Sequence, residues 1–192
     1  MASFAEGLRY TFENYLEWEN AEHTELIDGT PVMMPPPLRI HQRIIGELFR
    51  QLANYLDGKK CEVYPSPFGV RLFARKEDKP EDILDVLEPD ITIVCDPDKL
   101  DKYGCRGAPD MVIEVLSPPT RRHDRLVKLN MYQRAGVREY WIVNPEECTV
   151  QVLLLKGKYL VHHEEYGQSD LAKVNILDDC QIDLSKVFPT QT

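Results

Sequence analysis

Residues 89–95, PDITIVC, and residues 109–118, PDMVIEVLSP, are two apolar runs that each carry an acidic side chain. Runs of this length, rich in β-branched residues and bounded by proline or glycine, are typical of buried strands. Asp90 stands at the start of the first run, and Glu114 lies inside the second. A carboxylate buried in a strand is costly unless a cation, a hydrogen-bond donor or a metal ion compensates its charge. We therefore expect partners for both acids.

Helical periodicity appears on either side of these predicted strands. Apolar residues recur at helical spacing from Arg39 to Leu56, and a second such segment extends from Arg121 to Ala135. Residues 139–144, EYWIVN, are predicted to form a central strand because they are apolar on both faces. A short helix that starts at Thr11 and a hairpin with an Asp28-Gly29 turn precede these elements. Residues 61–75 and 86–95 are predicted to be strands, and short antiparallel strands, among them residues 173–176, follow residue 144.

This order of elements predicts an α/β (α+β) fold in which helices flank a mixed central sheet. A chain of 192 residues corresponds to about one domain. We therefore expect a single domain over residues 1–192, with a core of about 39–145 and a strand-rich extension over 146–192. The composition, 43% hydrophobic and 29% charged, excludes the disordered and collagen-like classes.

The sequence also carries signals of cellular location. No apolar run approaches the length of about 18 residues that a membrane-spanning helix needs. Residues 1–10, MASFAEGLRY, have no basic patch followed by an apolar run, so we expect no secretory signal and a cytoplasmic location. The five cysteines include no C-x-x-C pair, which argues against a structural zinc site and predicts reduced thiols. They are Cys61, Cys95, Cys105, Cys148 and Cys180.

A lysine completes a possible set of catalytic residues. Strand alternation places Glu114 on the same face as Val112, and Asp90 on the same face as Thr92. Lys128 lies on the helix that follows the Glu114 strand, so its ammonium group can reach the carboxylates. Two carboxylates and a lysine suffice for metal-assisted phosphodiester hydrolysis. The acids would hold Mg²⁺ or Mn²⁺, and the lysine would orient the attacking water or help to deprotonate it.

Six motifs in this order resemble the PD-(D/E)XK nuclease superfamily and, more closely, the Uma-type restriction endonuclease family. They are Glu25-Leu26-Ile27-Asp28-Gly29, His41-Gln42, Pro89-Asp90, the segment 113–118, Asp124 with Lys128, and the segment 136–141. The resemblance covers most of residues 10–160. It implies a restriction-endonuclease-like fold for the single domain. It also implies a metal-dependent endodeoxyribonuclease that hydrolyses phosphodiester bonds in DNA, with Asp90 and Glu114 as metal ligands.

The chain departs from the superfamily pattern at one position. The pattern has a lysine two residues after the second acid, where this sequence has Leu116. The resemblance implies that the lysine has migrated to the following helix, which makes Lys128 the substitute. Asp124 precedes Lys128 by four residues, so the two can form a contact along one helix face. The alternative for Asp124 is a surface ion pair of little consequence.

Two further residues are supporting candidates. Glu25 begins the hairpin strand and is a candidate for a third metal ligand or for an acceptor behind the ligands. An exposed glutamate at the end of a strand is the alternative. His41 opens the first long helix and could hydrogen-bond a phosphate or a carboxylate. A helix-capping or partly buried histidine is the alternative there.

The net charge of −9 argues, taken alone, against a nucleic-acid-binding protein. However, residues 31–60 carry five basic and two acidic side chains, and residues 121–140 carry six and two. A local basic surface can steer DNA despite an acidic total. We therefore expect weak, salt-sensitive and metal-assisted DNA binding. The candidate DNA-binding side chains are Arg39, Arg43, Arg121, Arg122 and Arg125.

Other classes of function are weighed against the nuclease. The chain could be a catalytically inactive binding or regulatory module that keeps the fold, or a metal-dependent hydrolase of another substrate. A nucleotide cofactor is not expected, because neither G-x-x-x-x-G-K-[ST] nor G-x-G-x-x-G occurs in the sequence. A cut through both DNA strands needs two active sites, which makes a homodimer the expected assembly.

Overall fold

The structure, a computed structural model, describes residues 7–18, 24–117 and 124–188. Its helices are α1 (Phe12–Glu17), α2 (Arg39–Leu56), α3 (Leu129–Ala135) and α4 (Leu184–Val187), and a π-helical turn, Asp124–Lys128, leads into α3. The strands are β1 (Thr24–Ile27), β2 (Thr30–Met33), β3 (Glu62–Pro65), β4 (Val70–Arg71), β5 (Ile91–Val94), β6 (Leu100–Asp101), β7 (Gly104–Arg106), β8 (Met111–Val115), β9 (Glu139–Asn144), β10 (Thr149–Lys156), β11 (Tyr159–Gly167), β12 (Leu171–Lys173) and β13 (Gln181–Asp183).

A six-stranded sheet in the order β11-β10-β9-β8-β5-β3 forms the centre of the molecule. β8 and β9 are parallel, and the other neighbouring strands of this sheet are antiparallel. The sheet is therefore mixed, as predicted. The segment predicted to be an extension contributes β10 and β11 to this same sheet. Three small sheets, β1-β2, β12-β13 and β4-β7-β6, surround it.

The two faces of the central sheet are covered by different helices. Alternate residues of β8, including Ile113 and Val115, pack in one core with the apolar side of α2. The residues between them, including Val112, pack in a second core with Met131 and Tyr132 of α3. Glu114 has the same strand parity as Val112, so its side chain lies on the α3 face, as the alternation predicts.

Several predicted elements have the expected bounds. α2 covers Arg39–Leu56, as predicted, and its buried residues recur at helical spacing on the side that faces the core. β9 coincides with residues 139–144. α1 begins after Thr11, whose N–H donates to the Oδ1 atom of Asn14 at 3.0 Å. The hairpin turns at Asp28-Gly29, and both residues have positive φ, as a tight two-residue turn requires.

Two strand predictions were too long. Residues 61–75 form two strands, β3 and β4, that belong to different sheets. Proline has no N–H group to donate, so the ladder of β3 does not continue past Pro65 and Pro67. Similarly, the strand predicted over residues 86–95 is reduced to β5, and Val86 and Leu87 form only isolated bridges. Pro89 separates the two parts.

The second helix and the C-terminal strands also differ in part from their predictions. The helix predicted from residue 121 is described from residue 124, as the π-helical turn and α3, and residues 118–123 lie outside the described part. Gly136 ends α3 in the left-handed conformation, as expected. The strand predicted over 173–176 is wrong, since β12 ends at Lys173. The short helix α4 was not predicted; the side chain of Asp183 accepts the Ser185 N–H at its start.

The prediction of five reduced thiols is wrong for two cysteines. Cys61 and Cys95 form a disulfide. The antiparallel register pairs Glu62 with Val94, so the residues just outside that pair, Cys61 and Cys95, lie opposite each other. The other three cysteines are free thiols.

Among the described residues, no helix has the length and apolar character needed to cross a membrane.

A buried carboxylate fixes the C-terminal segment to the central sheet. Glu139 of β9 is fully buried. Its Oε1 accepts hydrogen bonds from Trp141 Nε1 at 2.7 Å and Asn175 Nδ2 at 3.2 Å, and its Oε2 accepts one from the Ile176 N–H at 2.9 Å. These three donors compensate the burial of the carboxylate.

Replacement of Glu139 by alanine is expected to lower the free energy of unfolding by about 2–4 kcal/mol, because it leaves buried donors without an acceptor. Urea unfolding followed by circular dichroism measures the change. Glu165→Ala, at an exposed position of β11, is the matched control and should be near neutral. Equal stability of the Glu139→Ala and Glu165→Ala variants would show that Glu139 does not have this role.

Candidate active site

Asp90 and Glu114 lie side by side on neighbouring strands. The β5–β8 register pairs Ile91 with Ile113, so Asp90, just before β5, is the next residue opposite Glu114. Residues opposite each other on antiparallel strands face the same side, with Cβ atoms about 4.5–5.5 Å apart. Asp90 is further fixed because its Oδ2 accepts the Val115 N–H at 2.7 Å. The register therefore places the two predicted metal ligands at adjacent positions of neighbouring strands.

Lys128 lies against Glu114, as predicted. Its ammonium nitrogen, Nζ, is 3.0 Å from Glu114 Oε1 and 2.9 Å from Glu25 Oε1. All three residues are buried, with exposed fractions of 1% for Lys128, 3% for Glu114 and 1% for Glu25. One ammonium thus bridges two carboxylates that come from the hairpin and from the central sheet. Charged groups with so little exposure are rarely found unless they are paired in this way.

Glu25 is buried, so the alternative prediction of an exposed glutamate at the end of a strand is wrong. Leu26, next to it in β1, bridges to Val86, which holds the hairpin against the segment that leads into β5. Besides the ammonium of Lys128, Glu25 Oε1 accepts the Glu88 N–H at 3.0 Å. Its other oxygen, Oε2, is buried and receives no hydrogen bond from the described residues. This oxygen retains the capacity to bind a further donor or a cation.

His41 connects the start of α2 to the end of β8. Its Nε2 atom is 2.9 Å from the carbonyl oxygen of Val115 and 3.3 Å from Asp90 Oδ2. A carbonyl only accepts hydrogen bonds, so Nε2 carries the proton that lies between these two oxygens. Of the roles considered for His41, the structure shows both the contact with a carboxylate and a partly buried side chain, 12% exposed. That contact links the Asp90 carboxylate to the first turn of α2.

Sequence reasoning missed Tyr132. This tyrosine is fully buried, and its Oη donates a hydrogen bond of 2.5 Å to Glu114 Oε1, the oxygen that also binds Lys128. Burial, and to a smaller extent the nearby charge of Glu114, raises the pKa of Tyr132 well above its usual value. The hydroxyl therefore remains protonated and acts as a donor. Tyr132 follows Lys128 by four residues, which places both on one helix face. That spacing was the available signal in the sequence.

Tyr15 is a second phenol near the site. Its Oη donates a hydrogen bond of 2.6 Å to Glu88 Oε1. Glu88 in turn donates its backbone N–H to Glu25. This chain of contacts ties α1 to the hairpin carboxylate. Burial, with the charge of Glu88, raises the pKa of Tyr15 above its usual value, so Tyr15 also acts as a donor.

The predicted arginine surface is described only in part. Arg39 and Arg43 are exposed in the first turns of α2, the end of the helix that carries His41. Arg121 and Arg122 lie outside the described residues. The side chains of two residues in the π-helical turn, Asp124 and Arg125, also lie outside the described part. The predicted Asp124–Lys128 contact and the role of these three arginines stay predictions.

The sequence model of the family described as "Uma2: Putative restriction endonuclease" matches residues 12–185. The chain belongs to this family. The match confirms the resemblance found in the motifs. The matched part of this Uma2-family chain includes Glu25, Asp90, Glu114 and Lys128, so all four acidic and basic side chains of the cluster lie within it.

Known proteins similar to this Uma2-family chain include a curated protein and a solved structure. "Uncharacterized protein slr1290" from Synechocystis sp. (strain ATCC 27184 / PCC 6803 / Kazusa) is 30% identical over 143 residues, 73% of this chain and 71% of that protein. A crystal structure described as "a putative nuclease belonging to DUF820 from Anabaena variabilis ATCC 29413" has a TM-score of 0.69 at 18% identity. It covers 93% of this chain and 97% of that chain. This similarity confirms the predicted fold class.

The side chains of the Uma2-family site fit a hard divalent cation. Mg²⁺ commonly binds through one or two carboxylates and completes its coordination with water and substrate phosphate. Asp90 and Glu114 supply two carboxylates, and the side chain of Asp90 is 16% exposed, so solvent can reach it. No group of three or more His, Cys, Asp or Glu residues within the described ranges forms a ready-made metal cage. Asp90 and Glu114 are therefore the two carboxylates that would hold such a cation.

Proposed function

We propose that this Uma2-family protein is a Mg²⁺- or Mn²⁺-dependent DNA endonuclease. The observation that carries the proposal is the buried bridge of Lys128 between Glu25 and Glu114, with Asp90 beside Glu114. Burial of these charges costs free energy, and apolar side chains of similar volume would stabilise the core at least as well. Strongly desolvated, coupled charges of this kind are concentrated at functional sites. Membership of a family described as a "putative restriction endonuclease" supports nuclease activity in general, without indicating the metal or the catalytic residues.

Each side chain of the cluster has a proposed role. Asp90 and Glu114 would hold the cation, which when bound polarises a phosphate oxygen and lowers the pKa of its bound water. Lys128 would orient the attacking water and offset the negative charge that develops on the phosphate. Glu25 was considered as a metal ligand or as an acceptor behind the ligands. Its contact with the Lys128 ammonium favours the second role.

The substrate, assembly and location form part of the proposal. The exposed Arg39 and Arg43 would contact the DNA backbone, with Arg121, Arg122 and Arg125 as further contacts. Binding would weaken strongly with salt, because contacts to phosphates release counterions from DNA. Cleavage of both strands would require a homodimer with two sites. We propose a cytoplasmic location, where DNA is accessible to the enzyme.

Nicking of a supercoiled plasmid by the purified full-length protein tests this function. We expect relaxed and linear products with Mg²⁺ or Mn²⁺, and none with EDTA. The rate should fall steeply as salt increases. Glu165→Gln, an exposed acidic position on β11, serves as the matched control and should cleave like the unchanged protein. Intact plasmid under all metal and salt conditions, with a correctly folded protein, would contradict the proposal.

Replacement of Tyr132 by phenylalanine removes one hydroxyl that positions Glu114. We expect cleavage to fall about 10- to 100-fold, the usual effect of losing a group that orients a metal ligand. Tyr166→Phe is the matched control, because Tyr166 Oη also donates to a glutamate, Glu164, on β11. Cleavage kinetics and thermal unfolding are measured for both variants. If both cleave equally fast, Tyr132 does not position Glu114 for catalysis.

A further inference from the structure

Two aromatic rings stack beside the candidate active site. The centroids of Tyr64 and Phe68 are 4.2 Å apart, and their ring planes differ by 3°. Tyr64 belongs to β3, and Phe68 follows the turn after it; both side chains are partly exposed. Ser66, between them, donates its N–H to the Asp90 carbonyl at 3.0 Å. The turn that carries the aromatic pair is therefore attached to the backbone of a proposed metal ligand.

The pair lies on the same face of the sheet as the carboxylates. Tyr64 is opposite Thr92 in the β3–β5 register, and Thr92 is two residues from Asp90. Tyr64 and Asp90 are thus diagonal neighbours across two strands, a separation of about 7–8 Å that aromatic side chains can span. β3 is the last strand of the sheet, so no further strand lies beyond it in the described structure.

The two rings differ in what supports them. Phe68 packs against the core beneath α3, whereas Tyr64 belongs to none of the core clusters in the described structure and lies on Phe68. The Tyr64 hydroxyl donates to Glu62 Oε2 at 2.5 Å, which fixes the ring. Burial and the Glu62 hydrogen bond raise the pKa of Tyr64 to about 12, so the ring remains neutral at ordinary assay pH. Tyr64 is therefore a fixed, neutral ring at an open edge.

We propose that Tyr64, supported by Phe68, is a stacking surface for an unpaired DNA base next to the phosphate bound at Asp90. This inference rests on the proposed function. Every base has a flat π-face, so aromatic stacking binds single strands with little sequence preference. A base inside a duplex must first leave its own stack, which costs energy. The protein should therefore prefer DNA that is single-stranded or opened beside the cut over intact duplex.

Single-stranded oligonucleotides that contain 2-aminopurine test the surface directly, because the fluorescence of this base falls when it stacks on an aromatic ring. With the full-length protein in EDTA and low salt, where no cleavage is expected, we expect quenching at one position along the strand. Tyr64→Leu should abolish the quenching and weaken binding of the single strand about tenfold. Tyr64→Phe, which keeps the ring and its stack on Phe68 but loses the bond to Glu62, should retain the quenching that Tyr64→Leu loses.

Cleavage kinetics separate this inference from the proposed nuclease activity. With Mn²⁺, Tyr64→Leu should raise KM for single-stranded DNA about tenfold with little change in kcat, which mere unfolding would not do. Quenching and binding without any cleavage would support the stacking surface and contradict the nuclease. If the protein cleaves DNA and Tyr64→Leu binds, quenches and cleaves like the unchanged protein, the stacking surface is wrong. The proposed nuclease activity would then still stand.

Discussion

Replacement of Glu114 by glutamine is expected to reduce DNA cleavage about 1,000-fold or more, equivalent to about 4 kcal/mol of transition-state stabilisation. The substitution keeps the size of the side chain and a carbonyl oxygen that can still accept from Lys128 and Tyr132. It removes the negative charge that a divalent cation requires. Asp90→Asn should have an effect of the same order, because Asp90 is the neighbouring carboxylate.

The measurement is the initial rate of plasmid nicking under single-turnover conditions, with protein in excess over DNA. Glu165→Gln carries the same chemical change at an exposed position and controls for the loss of one negative charge. Thermal unfolding shows whether each variant is folded. A folded Glu114→Gln protein that nicks DNA at the unchanged rate would remove Glu114 from the proposed centre.

Replacement of Lys128 by methionine is expected to affect both stability and cleavage. Methionine fills a similar volume but leaves Glu25 and Glu114 buried next to each other without their shared cation. Loss of one partner of a buried ion pair costs about 3–5 kcal/mol. Cleavage should fall about 100- to 10,000-fold, the range that a positioned acid–base group contributes. Urea unfolding and nicking rates measure the two effects.

Two comparisons separate the electrostatic cause from a packing defect. In the double variant Lys128→Met/Glu25→Gln one of the two uncompensated charges is absent, so stability should recover in part. Mg²⁺ should raise the melting temperature of Lys128→Met more than that of the unchanged protein, because the cation replaces the missing positive charge. Lys158→Met, at an exposed lysine, is the control. A Lys128→Met protein as stable as this control would contradict the buried ion-pair account.

The pairing of Asp90 with Glu114 was predictable, because strand periodicity fixes the side of the sheet on which each side chain lies. The position of Lys128 followed from a helix that packs back on the preceding strand. By contrast, the contact between Glu25 and Lys128 depends on how the hairpin docks against residues 86–88. That docking is a tertiary event with no periodic signal in the sequence.

Other differences have equally local causes. The break between β3 and β4 results from two prolines within an otherwise strand-like run. The Cys61–Cys95 disulfide depends on the β3–β5 register, which the separation of 34 residues in sequence does not reveal. Tyr132 was overlooked because an aromatic residue on the apolar face of a helix is indistinguishable from core packing until its hydroxyl has a partner.

The central claim is that Asp90 and Glu114 hold a divalent cation beside Lys128. Binding of Mn²⁺ to the full-length protein, followed through the electron paramagnetic resonance signal of the free ion, tests it most directly. The account predicts a saturable site whose affinity falls at least about tenfold in Asp90→Asn and in Glu114→Gln, and is unchanged in Glu165→Gln. Equal Mn²⁺ affinity in all four proteins, or no saturable binding in the unchanged protein, would contradict it.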